Sequence, residues 1–135
     1  VSPAEIIDIA KEYLKQQPDV SAAYIFGSVA KGSMRARSDV DVAVFFSTKV
    51  GDKLARFDRR LELEMALQDR IHRPVQIVDF EAASPVLKHE IMKSGVLVVD
   101  NDPTYRVAQE VSALRKYLDF KPTYDSCVSA ALRRL

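Results

Sequence analysis

Phe26-Gly27-Ser28-Val29-Ala30-Lys31-Gly32 and, after a short polar linker, Ser38-Asp39-Val40-Asp41-Val42-Ala43-Val44-Phe45-Phe46 decide how this chain folds. The second run is rich in β-branched and aromatic residues, which predicts a strand rather than a helix. Its period of two puts Asp39 and Asp41 on one face and Val40, Val42 and Val44 on the other. The carboxylates then lie roughly 6.6 Å apart along the strand, at about 3.3 Å per residue. Upstream, Ala22-Ala23-Tyr24-Ile25-Phe26 is a shorter apolar run that stops at Gly27, so one strand ends at a Gly-Ser turn and the next opens on paired acids.

That arrangement has a chemical sense. Gly27 reaches backbone angles closed to other residues, and Ser28 adds a hydroxyl beside freed backbone amides. A helical turn from Ser28 to Gly32 aims those amides at a phosphate. Two carboxylates on one strand face repel each other, and a divalent cation relieves the repulsion. Lys31, Arg35 and Arg37 place three cations in the intervening linker. A Gly-Ser pair alone marks ordinary turns, and an Asp-x-Asp alone is common at strand ends. Only the conjunction of strand, Gly-Ser turn, basic linker and paired carboxylates points to a Mg-nucleoside triphosphate site, with Gly27, Ser28, Lys31 and Arg37 on the nucleotide and Asp39 and Asp41 on Mg²⁺.

Phe26-Gly27-Ser28, Lys31-Gly32, Ser38-Asp39-Val40-Asp41-Val42 and Val75-Gln76-Ile77-Val78-Asp79-Phe80 resemble the minimal nucleotidyltransferase branch of the polymerase β-like superfamily. The similarity runs from about Val20 to Asp100. It implies an α/β (α+β) nucleotidyltransferase fold, a mixed sheet packed with helices, in which the Gly-Ser turn binds triphosphate and the paired acids hold Mg²⁺. A third acid on a neighbouring strand completes the family's site, and here the chain departs from the pattern. Gln76 stands where the family has its first Asp of that strand. Asp79 matches the second, but an odd step turns it to the opposite face unless the strand ends, bulges or twists there. Asp79 is therefore a candidate third metal ligand, with a loop or capping acid as the alternative.

Within that family the chain resembles the MntA-type antitoxins that partner HEPN-domain ribonuclease toxins. The resemblance implies transfer of AMP from ATP to a tyrosine hydroxyl of such a partner. Adenylylation of an antibiotic hydroxyl is a second reading, and a non-catalytic module that covers its partner, with Gln76 marking lost activity, is a third.

With 135 residues, 47% of them apolar, the chain buries a core without disulfide staples. Lys and Arg total 20 against 19 acids, so the net charge of +1 gives no nucleic-acid footprint and no direct nucleic-acid binding is expected. The single cysteine, Cys127, suits a reducing compartment. No apolar stretch approaches the roughly 20 residues of a membrane span. No export pattern opens the chain, and a cytoplasmic location is expected.

Around the two decisive strands, Ser2-Pro3-Ala4-Glu5 is a capping box opening a helix with Ile6, Ile7, Ala10, Tyr13 and Leu14 inward. Asp52 caps a long helix predicted to bury Leu54, Phe57, Leu61, Met65 and Leu67. A helix from Ser84-Pro85 through Lys93 and a strand at Val96 to Val99 complete a core over residues 1–100. Residues 101–135 form a C-terminal helical extension of the same domain. Its Val107, Val111, Leu114 and Leu118 recur at helical spacing, Asp119-Phe120-Lys121-Pro122 is expected to break it, and its end is basic, Leu132-Arg133-Arg134-Leu135. Such a tail either packs on its own domain or docks a partner. His72 and His89 lack zinc-ligand company, Cys127 lacks a catalytic histidine, and Tyr105, Tyr117 and Tyr124 are expected to pack rather than react.

Overall fold

The computed structural model describes residues 1–134, the side chain of Tyr124 excepted; that side chain and Leu135 lie outside the described residues. Five α-helices and four strands alternate: α1 (Pro3–Leu14), β1 (Val20–Phe26), α2 (Ser28–Lys31), β2 (Val40–Phe46), α3 (Lys53–Ile71), β3 (Val75–Asp79), α4 (Pro85–Ser94), β4 (Val96–Asp100) and α5 (Pro103–Arg133), with a 3-10 turn at Thr48–Val50. The sheet order is β3-β2-β1-β4. β1 runs antiparallel to both β2 and β4, while β2 and β3 are parallel. The mixed sheet expected from the sequence is therefore present.

Strand alternation divides the core in two. Val40, Val42, Val44 and Phe46 of β2 join Ile6, Ala10 and Leu14 of α1 and Leu63, Leu67 and Ile71 of α3. Ala43 and Phe45, on the other face, join Tyr24, Phe26, Phe80, Ile91 of α4 and Ala113 of α5. The Phe45 and Phe80 rings stack there at 4.1 Å. α1 opens as predicted, Ser2 Oγ accepting from the Glu5 amide and Glu5 reaching back to the Ser2 amide. The outer amides of β3 at the sheet edge are covered as well, because Gln68 and Glu64 of α3 accept from Val75 and Ile77. An edge strand whose donors are taken by side chains offers no template for further pairing.

The stripe of α3 differs from the expectation. Asp52 does cap α3, but of the residues predicted inward only Leu67 is buried, and Leu54, Phe57, Leu61 and Met65 face solvent, Leu54 and Met65 being 68% and 69% exposed. The inward line runs through 63, 67 and 71 and extends back through arginines. Arg56 pairs with Asp79 and Arg59 grips Asp19 through two nitrogens. Charged residues that neutralise acids under a helix take inward positions that an apolar scan assigns to the opposite side.

The C-terminal helix also departs from its prediction. α5 runs unbroken through Pro122. A proline there removes one bond, to the Leu118 carbonyl, and on an exposed stretch water can take that carbonyl. Val107, Val111, Leu114 and Leu118 remain 42–57% exposed, so its own domain covers the stripe only in part. Ala113 and a polar network hold the helix: Tyr24 donates to Glu110, and Arg106 bridges Glu110 and Asp100. Burial, then the bond to Glu110, push the Tyr24 phenol up to about 12. Among the described residues no helix is long and apolar enough to cross a membrane.

Candidate nucleotide site

The site gathers where β1 ends and β2 begins. Gly27 has φ of +71°, and α2 starts at the next residue. A Cβ at Gly27 would lie 2.5 Å from Asp41 Oδ2. Glycine is thus required twice, once by its backbone angle and once because the carboxylate of the neighbouring strand occupies the space a side chain needs. Phe26 and Asp41 are paired across the β1–β2 ladder, so the turn and the acid are fixed to each other by sheet hydrogen bonds. α2 closes on Gly32, also at positive φ, whose amide bonds the Ser28 carbonyl. The leading amides of such a short turn have no intrahelical acceptor.

Asp39 precedes the first strand residue, Val40, and Asp41 follows it. Burial, and then the charge of Asp39, raise the Asp41 carboxyl above the usual carboxylate range. The two carboxylates are therefore electrostatically coupled, Asp39 from just ahead of the strand and Asp41 from within it. Asp41 pairs in register with Gln76 of β3. Gln76 lies between Val75 and Ile77, both in the α1/α3 core, so it is turned to the face that carries Asp41. The third position of the site is a neutral amide.

Asp79 is not brought to this group. Its register partner is Val44, three residues along β2 from Asp41, and it follows the parity of Ile77 toward α3. There it pairs with Arg56 at 2.9 Å, its side chain only 12% exposed, and its other oxygen accepts from the Glu81 amide. The expectation of Asp79 as a third metal ligand is corrected by this placement: β3 stays regular through Asp79, and its odd step leaves the acid as a loop-capping, ion-paired group. Among the described residues no cluster of three or more His, Cys, Asp or Glu side chains is assembled.

The basic residues divide. Lys31 reaches Glu90 of α4 at 2.9 Å, both side chains about half exposed. Arg37 is exposed in the linker between α2 and β2. A fourth cation was not singled out by the sequence. Arg73, in the His72-Arg73-Pro74 connection, donates from Nη1 to the carbonyls of Arg35, Ala36 and Ser38 at 3.0, 3.2 and 3.2 Å. The available signal was an arginine between a helix end and a proline, and that becomes meaningful only once β3 lies beside β2. His72, at φ of +60°, ends α3; His89 stacks on Tyr117 at 3.9 Å; Cys127 is exposed.

Two hard carboxylates beside a neutral amide suit Mg²⁺, which keeps several waters and takes few protein oxygens along with substrate phosphates. A four-stranded mixed sheet carries a Gly-Ser turn at the end of one strand, with Asp41 of the neighbouring strand pressed against it. Residues 9–104 match the family model described as polymerase beta, nucleotidyltransferase, and the chain belongs to that family.

It is 32% identical over 78 residues to the protein adenylyltransferase MntA of Shewanella oneidensis, a match covering 58% of this chain. The chain matches about half, 52%, of the length of that curated relative. Among solved structures, a toxin-antitoxin crystal structure with AMP-PNP superposes with a TM-score of 0.73 at 22% identity, covering 98% of this chain and 99% of the other. A complex of tri-AMPylated Shewanella oneidensis HEPN toxin with MNT antitoxin gives 0.66 at 21% identity, covering 96% and 95%. At these identities the structural likeness establishes the fold.

Proposed function

We propose that this chain transfers AMP from ATP to a hydroxyl of a protein partner, a tyrosine of a HEPN-domain ribonuclease toxin, and so acts as its antitoxin. The observation that carries the transfer reading is the contact of Gly27 with Asp41: the turn that would take the triphosphate and an acid that would take the cation are fixed against each other on adjacent strands. Family membership and the adenylyltransferase relative support the same chemistry.

In this mechanism the amides around Ser28 bind the triphosphate, and Asp39 and Asp41 are the residues that would hold Mg²⁺. A cation so held supplies charge neutralisation of the phosphates and acidifies the incoming hydroxyl. The acceptor oxygen forms a bond to the α-phosphorus, the α–β anhydride bond breaks, pyrophosphate leaves, and the hydroxyl proton passes to solvent. With Gln76 in the third position no dedicated base stands opposite Asp41, and an amide takes no proton. Positioning and charge neutralisation carry most of phosphoryl transfer, so the step does not depend on that base. Lys31 or Arg37 would neutralise the departing pyrophosphate, Lys31 first leaving Glu90.

The neutral Gln76 also favours a second reading, a binding module that covers the partner without modifying it. Intact-mass spectrometry separates the two. A HEPN-domain toxin incubated with this chain, ATP and Mg²⁺ is expected to gain mass in whole AMP units, and to gain none with the Asp39→Asn/Asp41→Asn variant. An unmodified toxin that still binds tightly would establish the covering module, and equal transfer by the double variant would remove Asp39 and Asp41 from the mechanism.

A further inference from the structure

The segment from Gly32 to Asp39 joins the phosphate turn to the acidic strand without helix or strand of its own. An acid at the end of such a segment is only as well placed as the segment. Its internal ties are short-range, Ser33 donating to the Ser28 carbonyl and Arg35 and Ser38 closing a small turn on each other, while Met34 makes apolar contact with the main core outside it. The hydrogen-bonded tie from a distant part of the chain, among the described residues, is Arg73, where one guanidinium nitrogen gathers the carbonyls of Arg35, Ala36 and Ser38. The last of these belongs to the residue before Asp39.

Arg73 is itself well anchored. α3 ends at His72 in the left-handed conformation, and Pro74 restricts the backbone that follows. The Pro74 carbonyl accepts from the Val40 amide at 2.9 Å, and Val75 pairs with Val40 in the parallel ladder. The two residues that flank Asp39 are thus both held by the start of β3, Ser38 through the Arg73 side chain and Val40 through the Pro74 backbone. A charged donor shared among three carbonyls is stronger than neutral bonds of the same length. Because all three contacts come from the one nitrogen Nη1, a lysine ammonium reaching the same point can take up part of them.

From this geometry we infer that Arg73 is a positioning residue, which through the backbone of residues 35–38 holds Asp39 beside Asp41 in the arrangement that takes a divalent cation. The inference rests on the metal role given to Asp39 under the proposed function, and its experiment keeps the two apart. Arg73→Ala, Arg73→Lys and wild type are compared by hydrogen exchange of the segment around residues 33–40, by Mn²⁺ titration followed by electron paramagnetic resonance, and by thermal melting.

Arg73→Ala is expected to speed exchange of the segment and to weaken Mn²⁺ binding about tenfold or more, the usual cost of losing a group that orients a metal ligand. Its melting temperature stays near wild type, and Arg73→Lys recovers part of both losses. In transfer assays at saturating Mg²⁺, kcat falls while KM for ATP changes little. Unchanged exchange in Arg73→Ala would overturn the clamp. Faster exchange with unchanged Mn²⁺ affinity would overturn its action on Asp39. Wild type that binds no Mn²⁺, while exchange still responds to Arg73, would count against the metal role of Asp39 and leave the clamp supported.

Discussion

The two faces of the sheet are made from the same strands and end in opposite states. Toward α1 and α3, Val40, Val42 and Val44 are buried under two helices, and the acid on that side, Asp79, is neutralised by Arg56. Toward α4 and α5, Ala43 and Phe45 are equally buried, but at the start of β2 the cover stops and Asp41 is left beside Asp39 with no cation paired to it among the described residues. One acid has a resident partner and is structural; the other two repel each other, and the proposed function assigns them to an incoming cation. Acid-rich strand ends are therefore better sorted by what already pairs with them than by how closely they match a motif.

The largest expected effect tests the open face. Asp39→Asn/Asp41→Asn should lower AMP transfer at least ~1,000-fold, about 4 kcal/mol of barrier, while the thermal midpoint without metal stays at or above wild type because the repulsion is gone. A melting curve beside the mass assay checks both. On the closed face, Leu67→Ala removes a fully buried side chain and should cost 2–5 kcal/mol of stability by denaturant unfolding, typically about 3. Transfer per folded molecule should be retained.

Smaller changes sharpen the contrast between the acids. Asp79→Asn weakens the ion pair to Arg56 and should cost about 1–2 kcal/mol of stability with transfer within about twofold of wild type; a collapse of transfer at unchanged stability would put Asp79 back into the site. Gln76→Asp adds an acid beside Asp41 on the open face. It should raise transfer severalfold, worth about 1 kcal/mol, or lower the Mg²⁺ concentration needed for half-maximal rate. No change in either would mean that Gln76 lies outside the metal's reach.

Much of this was legible in the chain. Gly27, the β1 and β2 runs, the closeness of Asp39 and Asp41 and the odd step of Asp79 follow from local rules, because strand alternation and the glycine-only angle are properties of a few adjacent residues. The α3 stripe was legible as a stripe and misread in direction, while the α5 stripe was legible as a stripe with its direction left open. Leu54, Phe57, Leu61 and Met65 do recur at helical spacing, yet Arg56 and Arg59 take the inward side because Asp79 and Asp19 wait there, and neither acid is near in sequence. Asp119-Phe120-Lys121-Pro122 is expected to break the helix, but the one bond lost at Pro122 on an exposed stretch is a local cost that α5 absorbs.

By itself the sequence determined the order of elements, the glycine turn and the closeness of two carboxylates at the start of β2, since each is set by backbone geometry within a few residues. Only the tertiary structure decided that Asp41 fills the space beside Gly27, that Gln76 rather than Asp79 stands next to it, and that Arg73 reaches back to the segment before Asp39. Those facts depend on which strand lies beside which, and a parallel neighbour such as β3 is chosen by the packing of α3 across the sheet, a contact between residues far apart in the chain.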